Sequence, residues 1–125
     1  MQRKTRQRDA MRDAIRRAGR PLSPQEILEH TQETIPNLGM ATVYRNIKAL
    51  VESRWLKVVE LPGAPDRYEL ADMDHHHHFH CRSCDRVFDV EGCPGDLTTM
   101  APDGFELESH EIVLYGRCQA CAADA

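Results

Sequence analysis

Asp74-His75-His76-His77-His78-Phe79-His80-Cys81-Arg82-Ser83-Cys84 is the stretch on which the reading of this chain turns. On an extended strand, successive side chains point to opposite faces. His76, His78 and His80 then share one face, and His75 and His77 share the other. Imidazoles two residues apart on one face can join a single ion, so the run has room for two separate sites. A His run by itself is commonly a solvated tract that picks up metal adventitiously. Its place inside the chain, directly before a Cys-x-x-Cys, favours a built site. The carboxylates of Glu69, Asp72, Asp89 and Asp96 lie near in sequence, and mixed His/carboxylate ligation suits Fe²⁺, Mn²⁺ or Zn²⁺.

Cys81-x-x-Cys84 has a counterpart in Cys118-Gln119-Ala120-Cys121. Each knuckle offers two thiolates from one turn, and two knuckles complete the tetrahedral sulfur shell of a structural Zn²⁺. The rivals are unrelated cysteine pairs or a redox-active Cys-x-x-Cys. The 33 residues between Cys84 and Cys118 exceed a compact zinc ribbon, so tertiary structure must return the second knuckle to the first.

Charge separates the chain into unlike halves. Residues 1–57 hold 12 Lys/Arg and 6 Asp/Glu, a balance of +6, whereas residues 58–125 hold 4 and 14, a balance of −10. A basic, arginine-rich half suits a polyanion, and an acidic half with clustered His and Cys suits cations. No apolar run is long enough to cross a bilayer and the N-terminus lacks a secretory signal, so a cytoplasmic protein with no membrane partner is expected. In that reducing setting thiolate–metal bonds are favoured over disulfides.

In the basic half, Ala10, Met11, Ala14, Ile15 and Ala18 recur at helical spacing, predicting a helix over 6–18 with Gly19 at its C-terminus. Ser23-Pro24-Gln25-Glu26 is a helix start with a capping box, and this second helix should end before Pro36. A third helix is expected from Met40 or Ala41 to about Ser53, its inner stripe being Val43, Tyr44, Ile47, Leu50 and Val51. Two short strands come next, Trp55–Leu61 and Arg67–Leu70, around a Pro62–Pro65 turn. Three helices and a hairpin make a winged helix, whose third helix enters the major groove. Thr42, Tyr44, Arg45 and Asn46 near its start are the candidate DNA-binding residues, with Arg3, Lys4, Arg6 and Arg8 near the adjacent backbone. Beyond Ala71 the pattern changes: strands over 75–80 and 86–90, a short helix opening at Cys93-Pro94 and covering Gly95–Met100, and one strand or two over Phe105–Tyr115.

With these motifs in order, the chain resembles the ferric uptake regulator family along nearly its whole length. The resemblance is carried by Ala41-Thr42-Val43-Tyr44-Arg45, by the His75–His80 run leading into Cys81-x-x-Cys84, and by Leu114-Tyr115-Gly116-Arg117-Cys118 before Cys121. It implies an α+β protein with an N-terminal winged-helix DNA-binding domain (1–71), a hinge (72–74) and a small C-terminal α/β dimerisation domain with a four-cysteine zinc site (75–125). It implies a homodimeric repressor that binds palindromic operators in double-stranded DNA when a regulatory ion, Fe²⁺ or Zn²⁺ with Mn²⁺ as a further candidate, is bound.

Position by position, the resemblance assigns structural zinc to Cys81, Cys84, Cys118 and Cys121, and the regulatory ion to Glu69, His76, His78 and Asp89. A further site draws on His75, His77 and Asp96. The chain departs from the pattern twice. Pro21 stands where a regulatory His is often found, and Arg117 stands where the further site commonly ends in His, with His110 as the substitute. Zinc sensors often recruit a thiolate, and Cys93, near Asp89 in sequence, is the one cysteine outside the knuckles. A peroxide-responsive Fe/Mn regulator is the alternative within the family, and a zinc storage or chaperone module is the alternative outside it. The second leaves the basic half unexplained. An enzyme is not expected, since neither a helical His-Glu-x-x-His nor a nucleophile–base pair is present.

Overall fold

The computed structural model describes residues 2–93 and 95–123. The chain divides into two compact units, Met1–Met73 and Asp74–Ala125. No helix among the described residues is long and apolar enough to cross a membrane.

The first unit runs α1 (Gln2–Ala18), α2 (Pro24–Thr31), α3 (Met40–Glu52), β1 (Leu56–Leu61) and β2 (Ala64–Leu70). Helix α1 starts four residues earlier than the apolar spacing predicts. Its first turns carry no apolar stripe to reveal them, but Gln, Arg and Lys are good helix formers that need no buried face. Ala10, Met11, Ala14 and Ile15 form its buried side. Gly19 closes it with φ +63, a left-handed conformation that costs glycine nothing.

Helix α2 begins as its sequence demands. The Glu26 amide donates to Ser23 Oγ at 3.1 Å, and the Ser23 amide donates back to Glu26 Oε1 at 3.1 Å. Arg20 Nη2 lies 2.7 Å from Glu26 Oε2 and holds the second carboxylate oxygen. Replacing Ser23 by Ala is expected to cost about 0.5–2 kcal/mol, and Ser23→Gly only a few tenths. Urea unfolding followed by the fluorescence of Trp55, the single tryptophan, measures both.

Leu22, Ile27, Val43, Leu50 and Leu56 pack with Met11 into the core of this unit. The hairpin pairs Leu56 with Leu70 and Val58 with Tyr68, and a bulge falls between Val59 and Leu61. Its turn is tighter than the Pro62–Pro65 expectation, with Pro62 and Gly63 at the tip and β2 already begun at Ala64. Gly63, at φ +68, makes the reversal. Leu22 and Tyr68 exchange backbone bonds of 3.0 and 2.9 Å, which pins the wing to the segment between α1 and α2.

The second unit is a three-stranded sheet of β3 (His77–Cys81), β4 (Val87–Val90) and β5 (Val113–Gly116) in the order β4-β3-β5, followed by a short helix α4 (Gln119–Ala123). The histidine strand is therefore central, antiparallel to β4 and parallel to β5. Gly116 pairs with Cys81, and a Cβ there would come within 3.1 Å of the Phe79 ring. Two expectations are corrected. The strand over 105–115 is confined to Val113–Gly116, the part of it that pairs with β3. The helix over 95–100 shrinks to one 3₁₀ turn, Thr98–Met100. Pro94 lies outside the described residues. Among the described residues of this unit only His77, Cys81 and Val87 are buried. So thin an interior cannot balance chain entropy without further cross-links.

Candidate metal centres and nucleic-acid face

Cys81 ends β3, Cys84 lies one turn later, and the parallel pairing of β5 with β3 delivers Cys118 and Cys121 to the same place. The four sulfurs lie within 4.8 Å of one another, with Cys84 Sγ and Cys118 Sγ 3.8 Å apart. Zn–S bonds of about 2.3 Å at tetrahedral angles give S···S edges of about 3.8 Å. The Cys84 and Cys118 amides donate to Cys81 Sγ at 3.4 and 3.3 Å, and these bonds bring its pKa down to about 6. Thiol contacts with Cys118 and Cys81 push Cys121 up to about 12, while burial raises Cys84. Sulfurs so close cannot all be anionic by themselves, and a divalent cation among them removes that conflict. Arg117 donates to the Cys121 carbonyl, so it braces this knuckle.

On one face of β3, His78 stands opposite Asp89 of β4. Asp89 Oδ1 lies 3.3 Å from His76 Nε2 and 3.7 Å from His78 Nε2. His76 Nδ1 is 2.7 Å from the Asp74 carbonyl, which can only accept, so Nδ1 carries the hydrogen and Nε2 the lone pair. This is the orienting contact typical of a ligating histidine. His80, expected on the same face, turns instead to Asp85, with Nε2 at 2.6 Å from Oδ1. Glu69 belongs to the first unit, buried on β2 opposite Lys57. Pro21 is fully buried and offers no donor.

The other face gathers His75, His77, Cys93 and His110, whose ligand atoms also lie within 4.8 Å of one another. Asp96, expected here, is not among them. Its carboxylate instead accepts from the amide and hydroxyl of Thr98 at 2.9 and 2.6 Å, starting the 3₁₀ turn. Cys93, expected beside Asp89, faces His77 Nε2 at 3.4 Å. Burial, reinforced by His75 and His110, keeps the His77 pKa below its ordinary value and the ring neutral. The Ile112 amide donates to His77 Nδ1 at 3.2 Å, placing the ring hydrogen on Nε2, toward the thiol. A cation bound through Nε2 takes that hydrogen's place, and the Ile112 bond must then turn away.

On α3, Tyr44 is 55% exposed, and the exposed Arg45 donates to Thr42 Oγ1 at 3.1 Å. Asn46 is the exception among the candidate contacts. It is buried, its amide donating to the Thr42 carbonyl and its oxygen accepting from Arg8 Nε, both at 2.9 Å. It therefore couples α1 to α3 and is not presented to a base edge. Lys48 is exposed, one turn beyond Tyr44 and Arg45. No motif singles it out, although its spacing from Tyr44 places it on that face.

The profile of the ferric uptake regulator family matches residues 2–115. The chain belongs to the ferric uptake regulator family. It is accordingly a metal-responsive transcriptional regulator, not an enzyme. Within the family, "Ferric uptake regulation protein 2" of Mycolicibacterium fortuitum is 30% identical over 123 residues, covering 94% of this chain and 84% of the relative. The Helicobacter pylori ferric uptake regulator, whose structure is described as revealing three functional metal-binding sites, superposes with a TM-score of 0.69 at 25% identity over 94% of this chain and 80% of its own. FurB of M. tuberculosis, described as a zinc uptake regulator, superposes with a TM-score of 0.53 at 29% identity over 95% of each chain.

Proposed function

We propose that this regulator is a homodimeric repressor that binds palindromic operator DNA when Fe²⁺ or Zn²⁺ is held by Glu69, His76, His78 and Asp89. Mn²⁺ is admitted by the same donor set. The reading is carried by the convergence of His76 Nε2 and His78 Nε2 on Asp89 Oδ1, with His76 oriented for ligation by the Asp74 carbonyl. Two imidazoles and carboxylates match the borderline-to-hard divalent ions. Glu69 comes from the winged-helix unit, so an ion shared between it and the histidines links the reading heads to the sensor unit. The four cysteines hold a Zn²⁺ that serves folding rather than sensing. Thr42, Tyr44 and Arg45 contact operator DNA, and Arg8 and Asn46 position the recognition helix. The ion acts by favouring the arrangement of the dimer in which both helices reach successive major grooves, so it must bind that arrangement more tightly than the others.

The test is DNA binding by protein that keeps one zinc per chain, alone and with Fe²⁺, Mn²⁺ or Zn²⁺ added. Affinity should rise about 5–150-fold with the cognate ion and fall steeply with salt. Equal affinity with and without the added ion would overturn the proposal. A zinc store or chaperone would show no salt-dependent DNA binding at all.

A further inference from the structure

We propose that Lys48 of α3 is a further DNA contact of this regulator, taking a backbone phosphate at the wall of the groove that Thr42, Tyr44 and Arg45 enter. The inference rests on the reading of α3 as the recognition helix, and it adds a residue that no motif marks. At about 100° per residue, Lys48 stands about 40° around the helix from Tyr44 and about 60° from Arg45, and about 6 Å farther along the axis than Tyr44. All three side chains are exposed, whereas Val43, Asn46, Ile47 and Leu50 fill the opposite side. Lys48 therefore lies between two candidate contacts, within the sector that they define.

Among the described residues nothing uses its charge. Glu52 follows one turn later, the weaker order for a Lys–Glu pair, and no ion pair joins the two. Lys48 also falls short of the last turn of α3, where a cation would answer the helix dipole. The arginines around it are committed elsewhere. Arg8 donates to Asn46 at 2.9 Å, Arg12 and Arg16 lie 5.5 and 5.2 Å from the centroid of the Trp55 ring, and Arg20 is paired with Glu26. A helix about 10–12 Å across nearly fills a major groove about 12 Å wide. A long side chain one turn behind the leading residues then meets the groove wall, where the phosphates stand. Lysine presents a point charge on a flexible four-carbon stem, which suits a phosphate oxygen better than the patterned edge of a base. Glu52, next on the same sector, repels the backbone and marks where the contact ends.

The experiment uses the full chain with one zinc per chain and whichever of Fe²⁺, Mn²⁺ or Zn²⁺ raises its DNA affinity most. The probe is the palindromic duplex that the unsubstituted protein selects from a random pool, titrated between about 50 and 200 mM salt. Lys48→Met should weaken binding about tenfold or more and make the plot of log affinity against log salt shallower by about 0.9 per protomer. The loss should be equal on single-base variants of the duplex. Lys48→Arg should keep the slope, and the urea transition of Trp55 should be unchanged in both variants. An unaltered slope in Lys48→Met, or a loss confined to one base position, overturns the proposal. Failure of the recognition-helix reading looks different: the unsubstituted protein then selects no duplex, or binds with no dependence on salt, and the Lys48 contact falls with it.

Discussion

Cys118→Ser is expected to lose the thiolate-bound zinc and to unfold the second unit while leaving the first intact. Structural zinc in small domains is worth about 10–16 kcal/mol in apparent binding free energy, and that energy is folding energy where no site preforms in the unfolded chain. Within one chain the interior of this unit is too thin to replace it. Only His77, Cys81 and Val87 are buried among the described residues of the unit, and the second knuckle, directly after β5, anchors that strand beside β3. Metal content should fall by one zinc per chain, and the β3–β4 and β3–β5 amides should lose protection from exchange. Trp55 should report an unchanged urea transition, because Met11, Leu22, Ile27 and Leu50 make a core of their own. A strong chelator should reproduce the effect on the unsubstituted chain. Retention of the sheet after complete zinc removal would show that the cysteines are not its support.

The next largest effect is expected from His76→Ala, which should abolish the 5–150-fold metal enhancement of DNA binding, equivalent to about 1–3 kcal/mol of coupling. The Asp74 carbonyl holds the ring with Nε2 toward Asp89, so removing it deletes a preoriented donor and leaves His78 and Asp89 with too few partners. His80→Ala is the matched control. That ring is paired with Asp85 and should leave the enhancement unchanged. Zinc content and dimerisation should be intact in both. Metal-dependent binding that persists in His76→Ala would remove this residue from the ligand set.

Much of the first unit was legible residue by residue. The capping box at Ser23 and Glu26 and the inner stripe of α3, except Tyr44, which is exposed, are local patterns, and local hydrogen bonds and helical spacing decide them. The start of α1 was not legible, because its first residues are polar on every side and bury nothing. The 105–112 segment misled for the converse reason. Alternation says that two faces differ, and it does not say that a neighbouring strand lies alongside. At Asn46 the helix position was right and the role was not, since the Arg8 side chain that claims it comes from another helix 38 positions away.

By itself the sequence determined the parity of the histidine run, the two thiolate knuckles and the helix starts, because each is set by neighbours a few residues apart. Only the tertiary structure decided that Cys93 and not Asp96 joins His75 and His77, and that His110 reaches the cluster. Those partners are separated by long stretches of irregular chain. Which of them meet depends on how β5 returns beside β3 and on what the short turn at Thr98 does with the Asp96 carboxylate. No periodicity in the sequence encodes either.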